Sequence, residues 1–537
     1  MRNDERDLVV TEVQSRVLAA CVRQANYPAG LALDVLVNDT LYHEQKRMET
    51  DRKSPRRAAD KAFWAEVKGR LNRAGDAELR TLLARIIRRF TQEILGNFNP
   101  WVYGLSTKVV PRALPVILNA MSPTRLANYR ALPSMESTIR IRGDVEALRR
   151  CHEQGTVICT PTHVSNMDSI VIAWALMELG LPPFTYGAGL NLFSNPVMSF
   201  FLRNLGAYRV DRLKTAPLYK DVLKEYTTVS LEMGRPNLFF PAGTRVRSGE
   251  IEQRLKLGLL SSGLRAYINN LIRQKEKPRI YIVPCNLNYH LVLEAETLIE
   301  DHLKRTGKGR YIIDDDAFSK PRQVIRFLRE LMNLDSQISV TVGSPIDPFG
   351  NSVDEEGNSV DDRGRAVDIE KYVTQDGEPH HSPQRDRVYT AEAGESTARA
   401  FLKNNRVLST NLVAYVAFEY LAARNPGMDL YRLLRTAGDG TGIEMGAFAS
   451  AVADAATRLR DLEGEGGVQL DEKVRTTDPI AIINDALNHF DSYHHHAVLR
   501  RRGDRVFTDD MNLLLYYRNR LTGYEALKRK EAVHDAG

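Results

Sequence analysis

Cysteine is scarce. The four residues Cys21, Cys151, Cys159 and Cys285 form no CxxC pair in 537 positions. That excludes a disulfide framework and zinc-finger spacing, and reads as buried thiols in a reducing compartment. Long apolar runs are missing as well. No stretch reaches the roughly 18–20 apolar residues that a membrane-crossing helix requires. The nearest approach, Ser169 to Leu181, contains Glu178 and stops at Pro182-Pro183. The opening MRNDERDLVV carries charges where a secretory signal would place an apolar stretch. There is no Gly-rich RNA-binding signature and no dense basic-aromatic tract, and the net charge of +6 is modest for this length. Nucleic acid is therefore not expected as a partner, whereas a mild basic excess suits anionic ligands or an anionic lipid surface.

What is present is the composition of a folded chain, 43% hydrophobic and 26% charged. Its length implies two or three domains. Residues 1–125 read as a helical N-terminal region. Within it, Glu78 to Gly96 places Leu79, Leu82, Leu83, Ile86, Ile87, Phe90 and Ile94 on one face and Arg85, Arg88 and Arg89 largely on the other. Such a helix packs on a core or, with its arginines on lipid phosphates, lies on a membrane.

Residues 126–349 change to short β-branched or aromatic runs alternating with helical stretches. The predicted strands are Thr156–Thr160, Phe184–Gly187, Tyr208–Val210, Asn237–Phe240, Ile280–Pro284 and Ile338–Val342. Intervening helices include Tyr219–Met233 and Lys256–Gln274. The alternation predicts an α/β domain with a central, largely parallel sheet flanked by helices, and ligands at the loops after the strand ends. Residues 350–392, rich in Gly, Asp, Glu, Ser and Pro, read as a linker or long loop. Residues 393–537 read as a helical C-terminal region, with helices over Ser396–Arg424, Asp429–Thr436, Glu444–Leu462, Asp478–Asp491 and Asp510–Lys530. No internal repeat is expected.

Chemistry concentrates at four strand ends. The first is Thr160-Pro-Thr-His163-Val-Ser165-Asn-Met-Asp168. A His on a loop with an Asp five residues later suits a general base and the carboxylate that orients it. On a regular helix that step turns by about 140°, so the pair can meet only if His163 precedes the helix, with Ser165 or Asn166 as its cap. The same letters, Ser165-x-x-Asp168, also describe a capping box with no catalytic task. The second stretch is Leu205-Gly206-Ala-Tyr-Arg209-Val-Asp211-Arg212. The third runs from Phe239 to Gly249, with Gly243, Thr244, Arg245 and Arg247. Glycine lets backbone approach a ligand, and arginine offers planar recognition of phosphate. The fourth is Ile282-Val-Pro284-Cys-Asn-Leu-Asn-Tyr289. Metal ligation is not expected at Asp314-Asp-Asp316, which reads as a solvated acidic turn. Nor is it expected at His494-His-His496, whose adjacent side chains converge poorly on one ion.

In this order and spacing the four blocks resemble the glycerolipid acyltransferase superfamily, in particular the large bacterial glycerol-3-phosphate acyltransferases. His163 and Asp168 match its HxxxxD motif, with Ser165 between them. Gly206 and Arg212 match the second motif, Gly243, Arg245 and Arg247 the third, and Val283-Pro284 the fourth. Ala188-Gly-Leu-Asn-Leu192 is similar to a run of the large bacterial enzymes, and so is Leu514 to Gly523 near the C-terminus. Two positions depart from the pattern: Ala242 stands where the third motif has Glu, and Val-Asp-Arg replaces Ile-Arg-Arg in the second.

The resemblance implies transfer of a fatty acyl group from acyl-CoA or acyl carrier protein to the hydroxyl of glycerol-3-phosphate. His163 would be the base, Asp168 its orienting group, and Arg209, Arg212, Arg245 and Arg247 the phosphate ligands, with Ser165, Gly243, Thr244 and Pro284 around the substrate. No metal and no cofactor are implied. A peripheral place on the cytoplasmic side of a membrane is expected. The departures at Ala242 and Asp211 leave a lysophosphatidate or other lysophospholipid acyltransferase, or a membrane-associated pseudoenzyme, as alternatives.

Overall fold

The computed structural model describes residues 3–27, 30–50, 57–105, 138–193, 196–306, 338–436, 442–491 and 493–528. The acidic turn at 314–316 lies outside them. Seven strands form the central sheet: β1 (Ile139–Gly143), β2 (Thr156–Pro161), β3 (Thr185–Gly189), β4 (Ala207–Val210), β5 (Asn237–Leu238), β6 (Ile280–Asn288) and β7 (Ile338–Val342). Their order is β1-β7-β6-β2-β5-β3-β4. All neighbours are parallel except β6 and β7, so β1 and β7 run against the other five.

The central strands β2, β5 and β6 are buried at every position and largely apolar because both faces are covered. Along β6 the side chains alternate between two cores. Tyr281, Val283, Cys285 and Leu287 enter one shared with the C-terminal helices. Ile280 and Ile282 enter another, built with helix Leu257–Ile272. Cys159 and Cys285 face each other across β2 and β6 as free thiols, Sγ to Sγ 3.4 Å.

Among the described residues, four long helices precede the sheet: α1 (Asn3–Ala25), α2 (Leu33–Thr50), α3 (Arg57–Leu71) and α4 (Asp76–Ile94). The apolar face of α4 is buried with Val9, Val13, Val37 and Trp64 in a core that also takes Tyr208, Tyr219 and Tyr226 from the α/β domain. The arginines of α4 are largely consumed within the protein. Arg85 pairs with Glu66 at 2.6 Å, while Arg89 pairs with Asp60 and with Glu93. Of the two uses open to this helix, packing on a core is the one realised.

The helix expected over Asp510–Lys530 ends at Arg518, the strand expected over Asn237–Phe240 at Leu238, and three further expectations fail. β1, Ile-Arg-Ile-Arg-Gly, was not expected as a strand; its polar alternate residues suit an edge of the sheet. The helix expected over Ser396–Arg424 is two helices, Pro383–Lys403 and Ser409–Ala423, separated by the short strand Arg406–Val407. The supposed linker is folded and repetitive. Asp347-Pro-Phe-Gly350-Asn-Ser-Val, Asp354-Glu-Glu-Gly357-Asn-Ser-Val and Asp361-Asp-Arg-Gly364-Arg-Ala-Val are three successive seven-residue units. In each, the Asp N–H donates to the carbonyl four residues on, at 2.9 Å, and the Asp carboxylate accepts the N–H of that same residue. Each unit turns on a glycine with φ between +74° and +96°, where a β-carbon would strain the chain. Polar, turn-rich composition signals a linker when it is aperiodic; here the periodic placement of Asp and Gly builds stacked turns.

Candidate active site

β2 ends at Pro161, and the next helix (Asp168–Glu178) starts at Asp168. His163 therefore lies before the helix, as a pairing of the two side chains requires. His163 Nδ1 lies 2.9 Å from Asp168 Oδ2. The same oxygen accepts the N–H groups of Val164 (2.6 Å) and Ser165 (2.8 Å), and Oδ1 accepts the hydroxyl of Tyr289 (2.6 Å). Four donors thus fill a carboxylate that is fully buried. Capping and orienting are not rival readings here. Asp168 closes the start of its helix through Ser165 N–H and orients the imidazole with the same oxygen. With Nδ1–H donated to Asp168, the lone pair of His163 falls on Nε2. Phe240 stacks on the ring, centroids 4.1 Å apart, and leaves it little freedom to turn.

The residues after β5 form the facing loop. Val246 N–H donates to the His163 carbonyl at 2.9 Å, and the Glu252 carboxylate accepts His163 N–H at 2.6 Å. Gly243 (φ +73°) and Gly249 (φ +84°) turn this loop. A β-carbon on Gly249 would lie 2.1 Å from the Tyr516 carbonyl, so the C-terminal segment closes directly on it. Asn519 adds a hydrogen bond to the Ser248 carbonyl at 2.8 Å.

Arg245 pairs with Glu294 at 3.4 Å, and Arg247 with Asp301, which Arg305 shares at 3.2 Å. Arg212, beyond β4, has no hydrogen-bonded or ion-paired partner among the described residues. Its side chain reaches solvent, yet desolvation by the surrounding protein, then the positive charges of Arg245 and Arg247, hold its guanidinium below the usual arginine range. Burial and Arg305 do the same to Arg247. Within the arginine cluster itself, four arginines (212, 245, 247, 305) stand with only two paired carboxylates (Glu294, Asp301), so cations are in excess there. A phosphate monoester, near −2 at neutral pH, matches that excess.

Other expected residues fall differently. Ser165 faces inward: its hydroxyl donates to Glu294 at 2.8 Å and receives Met167 N–H. Glu294 therefore joins the base loop to Arg245. Thr244 is half-buried between Gly243 and Arg245. Arg209 lies over the ring of Phe193, 5.6 Å from its centroid. Pro284 is buried within β6, paired with Thr160 of β2, beneath the site rather than on its face. Tyr289, Glu252, Glu294, Phe240 and Arg520 were not expected at all. Tyr289 closes the fourth block, Phe240 lies in the third and Arg520 in the C-terminal run, none with a task of its own, while Glu252 and Glu294 stand outside every named block.

Residues 142–288 match the acyltransferase family model, a span that holds His163, Asp168, Arg212, Arg245 and the strands that place them. Over that span the chain carries an acyltransferase domain. Among similar proteins, a glycerol-3-phosphate acyltransferase of Pseudomonas putida is 27% identical over 386 residues, 71% of this chain and 40% of its own length. One from Ectopseudomonas mendocina is 27% identical over 387 residues, again 40% of its length. One from Pseudomonas syringae pv. tomato reaches 30% over 203 residues, 38% of this chain and 22% of its own length. The chain thus spans about two fifths of the length of the relatives first matched.

Outside the acyltransferase centre, one group of potential metal ligands is found among the described residues: His290, Asp485 and His489, with ligand atoms within 4.8 Å of one another. The two rings stack, centroids 4.2 Å apart and planes 10° apart. Parallel rings at that separation direct their in-plane lone pairs side by side, not to a common point. His489 Nδ1 donates to the Asp485 carbonyl (2.7 Å), and Ser409 bonds the Asp485 carboxylate (2.5 Å). The group joins the end of β6 to helix Pro479–Phe490. At the nearby His494-His-His496, His494 and His495 share Glu296.

Proposed function

We propose that this protein transfers a fatty acyl group from acyl-CoA or an acyl carrier protein to the hydroxyl of glycerol-3-phosphate, giving lysophosphatidate. The arrangement that carries the reading is an imidazole oriented through Nδ1 by Asp168 and hydrogen-bonded through its own main chain to a loop bearing an excess of arginine. His163 Nε2 takes the proton of the acceptor hydroxyl, whose oxygen attacks the thioester carbonyl. The C–S bond then breaks and the thiol leaves with the proton that His163 returns. Asp168 holds the imidazole in the needed tautomer and stabilises the imidazolium. Arg212, Arg245 and Arg247 hold the phosphate, so the hydroxyl meets the base within one complex. No resident cofactor enters this scheme.

Thiol release from a long-chain acyl-CoA, with glycerol-3-phosphate, lysophosphatidate or no acceptor, is the test. Stimulation by glycerol-3-phosphate is expected, and its loss in His163→Ala. Stimulation by lysophosphatidate alone would instead support the alternative acceptor that Ala242 and Asp211 suggest. Equal release by wild type and His163→Ala would refute the base assignment.

Peripheral attachment to the cytoplasmic face of a membrane belongs to the same proposal. No helix of the described residues is long and apolar enough to cross a bilayer. Trp101, Leu105, Phe200 and Leu213, on segments that flank β4 in the chain or bond to its approach, are nevertheless exposed, and Arg203 and Arg209 lie over Phe193 in the same region. Apolar side chains flanked by arginines suit an anionic lipid surface. Co-sedimentation with anionic vesicles that is unaffected by Trp101→Ser and Leu213→Ser together would count against this patch.

A further inference from the structure

The loop after β5 carries one carboxylate for which the proposed reaction has no task. Glu252 lies seven residues beyond Arg245 and is only 6% exposed. Its Oε1 accepts the main-chain N–H of His163 at 2.6 Å. Its Oε2 is buried without a hydrogen-bond partner among the described residues. The charged groups that face it are Asp168 on the base loop and Arg520 from the C-terminal segment. Arg520 does not neutralise it through a direct bond. That guanidinium donates to Asn405 Oδ1 (2.9 Å) and the Leu287 carbonyl (3.3 Å) instead.

A buried carboxylate with one bare oxygen is costly to keep. Here the cost falls at a single peptide, that of the base. The arginine loop grips this peptide on both sides, its N–H through Glu252 and its carbonyl through Val246 N–H, while Asp168 holds the ring and the next two N–H groups. Val246 follows Arg245 directly. A displacement of Arg245 on phosphate binding is therefore passed along one peptide to the His163 carbonyl, and Glu252 supplies the counter-hold on the other side.

We infer that Glu252 is a positioning residue that couples acceptor binding on the arginine loop to the placement of the His163 imidazole. The inference rests on His163 acting as the base in acyl transfer. A carboxylate accepts an N–H more strongly than a carboxylic acid does. Burial pushes the Glu252 carboxyl up to about 7, and Asp168 adds to the rise, while His163 N–H and Arg520 oppose it. The hold on His163 accordingly tightens as pH rises through neutrality.

The full chain with Glu252→Gln and Glu252→Ala tests this, with His163→Ala as reference. The Gln side chain keeps an acceptor oxygen for His163 N–H. It should lower kcat about 3–10-fold and remove one ionisation from the acid limb of kcat/KM. The Ala variant leaves the N–H unpaired and should lower kcat about 10–100-fold. It should also raise KM for glycerol-3-phosphate and leave KM for acyl-CoA unchanged. Wild-type kcat and an unchanged acid limb in both folded variants would overturn the inference.

A second measurement is independent of turnover: amide hydrogen exchange of residues 162–168, with and without inorganic phosphate. Phosphate should slow exchange there in the wild type and not in either variant. Retained protection in Glu252→Gln would overturn the coupling even if Glu252→Ala failed to fold. Phosphate protection lost in the variants, in a protein that transfers no acyl group, would uphold the coupling and discard the reaction.

Discussion

The two loops that meet at His163 are built on opposite plans. The base loop, residues 162–168, is saturated. Both oxygens of Asp168 are bonded, Oδ2 by the imidazole and two main-chain N–H groups and Oδ1 by Tyr289, and the Ser165 hydroxyl and Asn166 N–H both end on Glu294. The arginine loop, residues 239–256, is left short of partners. Arg245 and Arg247 hold down the charge of Arg212, Arg305 and Arg245 hold down that of Arg247, and Glu252 keeps a bare oxygen. A group that must hold one geometry through proton transfer benefits from saturation. A group that must receive an anion benefits from unmatched charge, which the anion itself neutralises. The contrast is that of a tool and a socket.

Mutations should separate the two plans by which kinetic constant moves. The largest effect is expected from His163→Ala, which removes the base itself and should lower kcat about 10²–10⁴-fold with little change in KM. An equal loss from an arginine variant would dissolve the distinction. Arg245→Ala comes next. A charge-assisted hydrogen bond is worth about 1.5–3 kcal/mol, so KM for glycerol-3-phosphate should rise roughly 10–100-fold while KM for acyl-CoA stays put. A rise confined to the acyl donor would place Arg245 on the wrong substrate.

A smaller effect should follow Tyr289→Phe, which removes one of the four donors to Asp168 and leaves Oδ1 buried and unpaired. Stability should fall by about 1–3 kcal/mol and kcat by a few-fold, read by urea unfolding and by thiol release. If stability is unchanged, Oδ1 has another partner and the base loop is less tightly specified than its geometry indicates.

The smallest effect concerns pH. The Glu252 carboxyl is raised by burial to about 7 in the folded chain, against roughly 4.3 when unfolded. Its contribution to stability is thus complete below about pH 4.3 and is lost as pH rises through 7, because the folded state retains a proton that the unfolded state has released. Glu252→Gln has no such dependence. Its stability relative to wild type should improve between pH 5 and pH 8, by at most about 3 kcal/mol at 1.36 kcal/mol per pKa unit. Parallel wild-type and variant stability curves across that range would show that Glu252 titrates like a solvated carboxylate.

Much of this architecture was legible in the sequence for local reasons. Five expected strands coincide with β2, β3, β4, β6 and β7 to within a few residues because buried parallel strands are written as continuous apolar runs. The exceptions are informative. Only two residues of the stretch expected as a strand over Asn237–Phe240 pair, since the chain must leave the sheet early to bring Phe240 onto His163. β1 escaped notice because an edge strand carries polar residues at alternate positions. The three Asp-Gly units have the composition of a linker, and only their seven-residue period marks them as folded.

His163 and Asp168 could be paired on paper because they are five residues apart and the turn of a helix decides whether they meet. Spacing also ordered the arginines along the chain. It could not reveal that Tyr289, 121 positions from Asp168, donates the fourth hydrogen bond, or that Glu294 bridges Ser165 and Arg245. Nor could it show that Glu252 grips the base through its peptide. Hydrogen bonds within one turn are determined by local backbone geometry, which sequence specifies directly. Hydrogen bonds between loops exist only once the parallel pairing of β2, β5 and β6 has brought their ends to one edge of the sheet, and that pairing is a property of the packed whole.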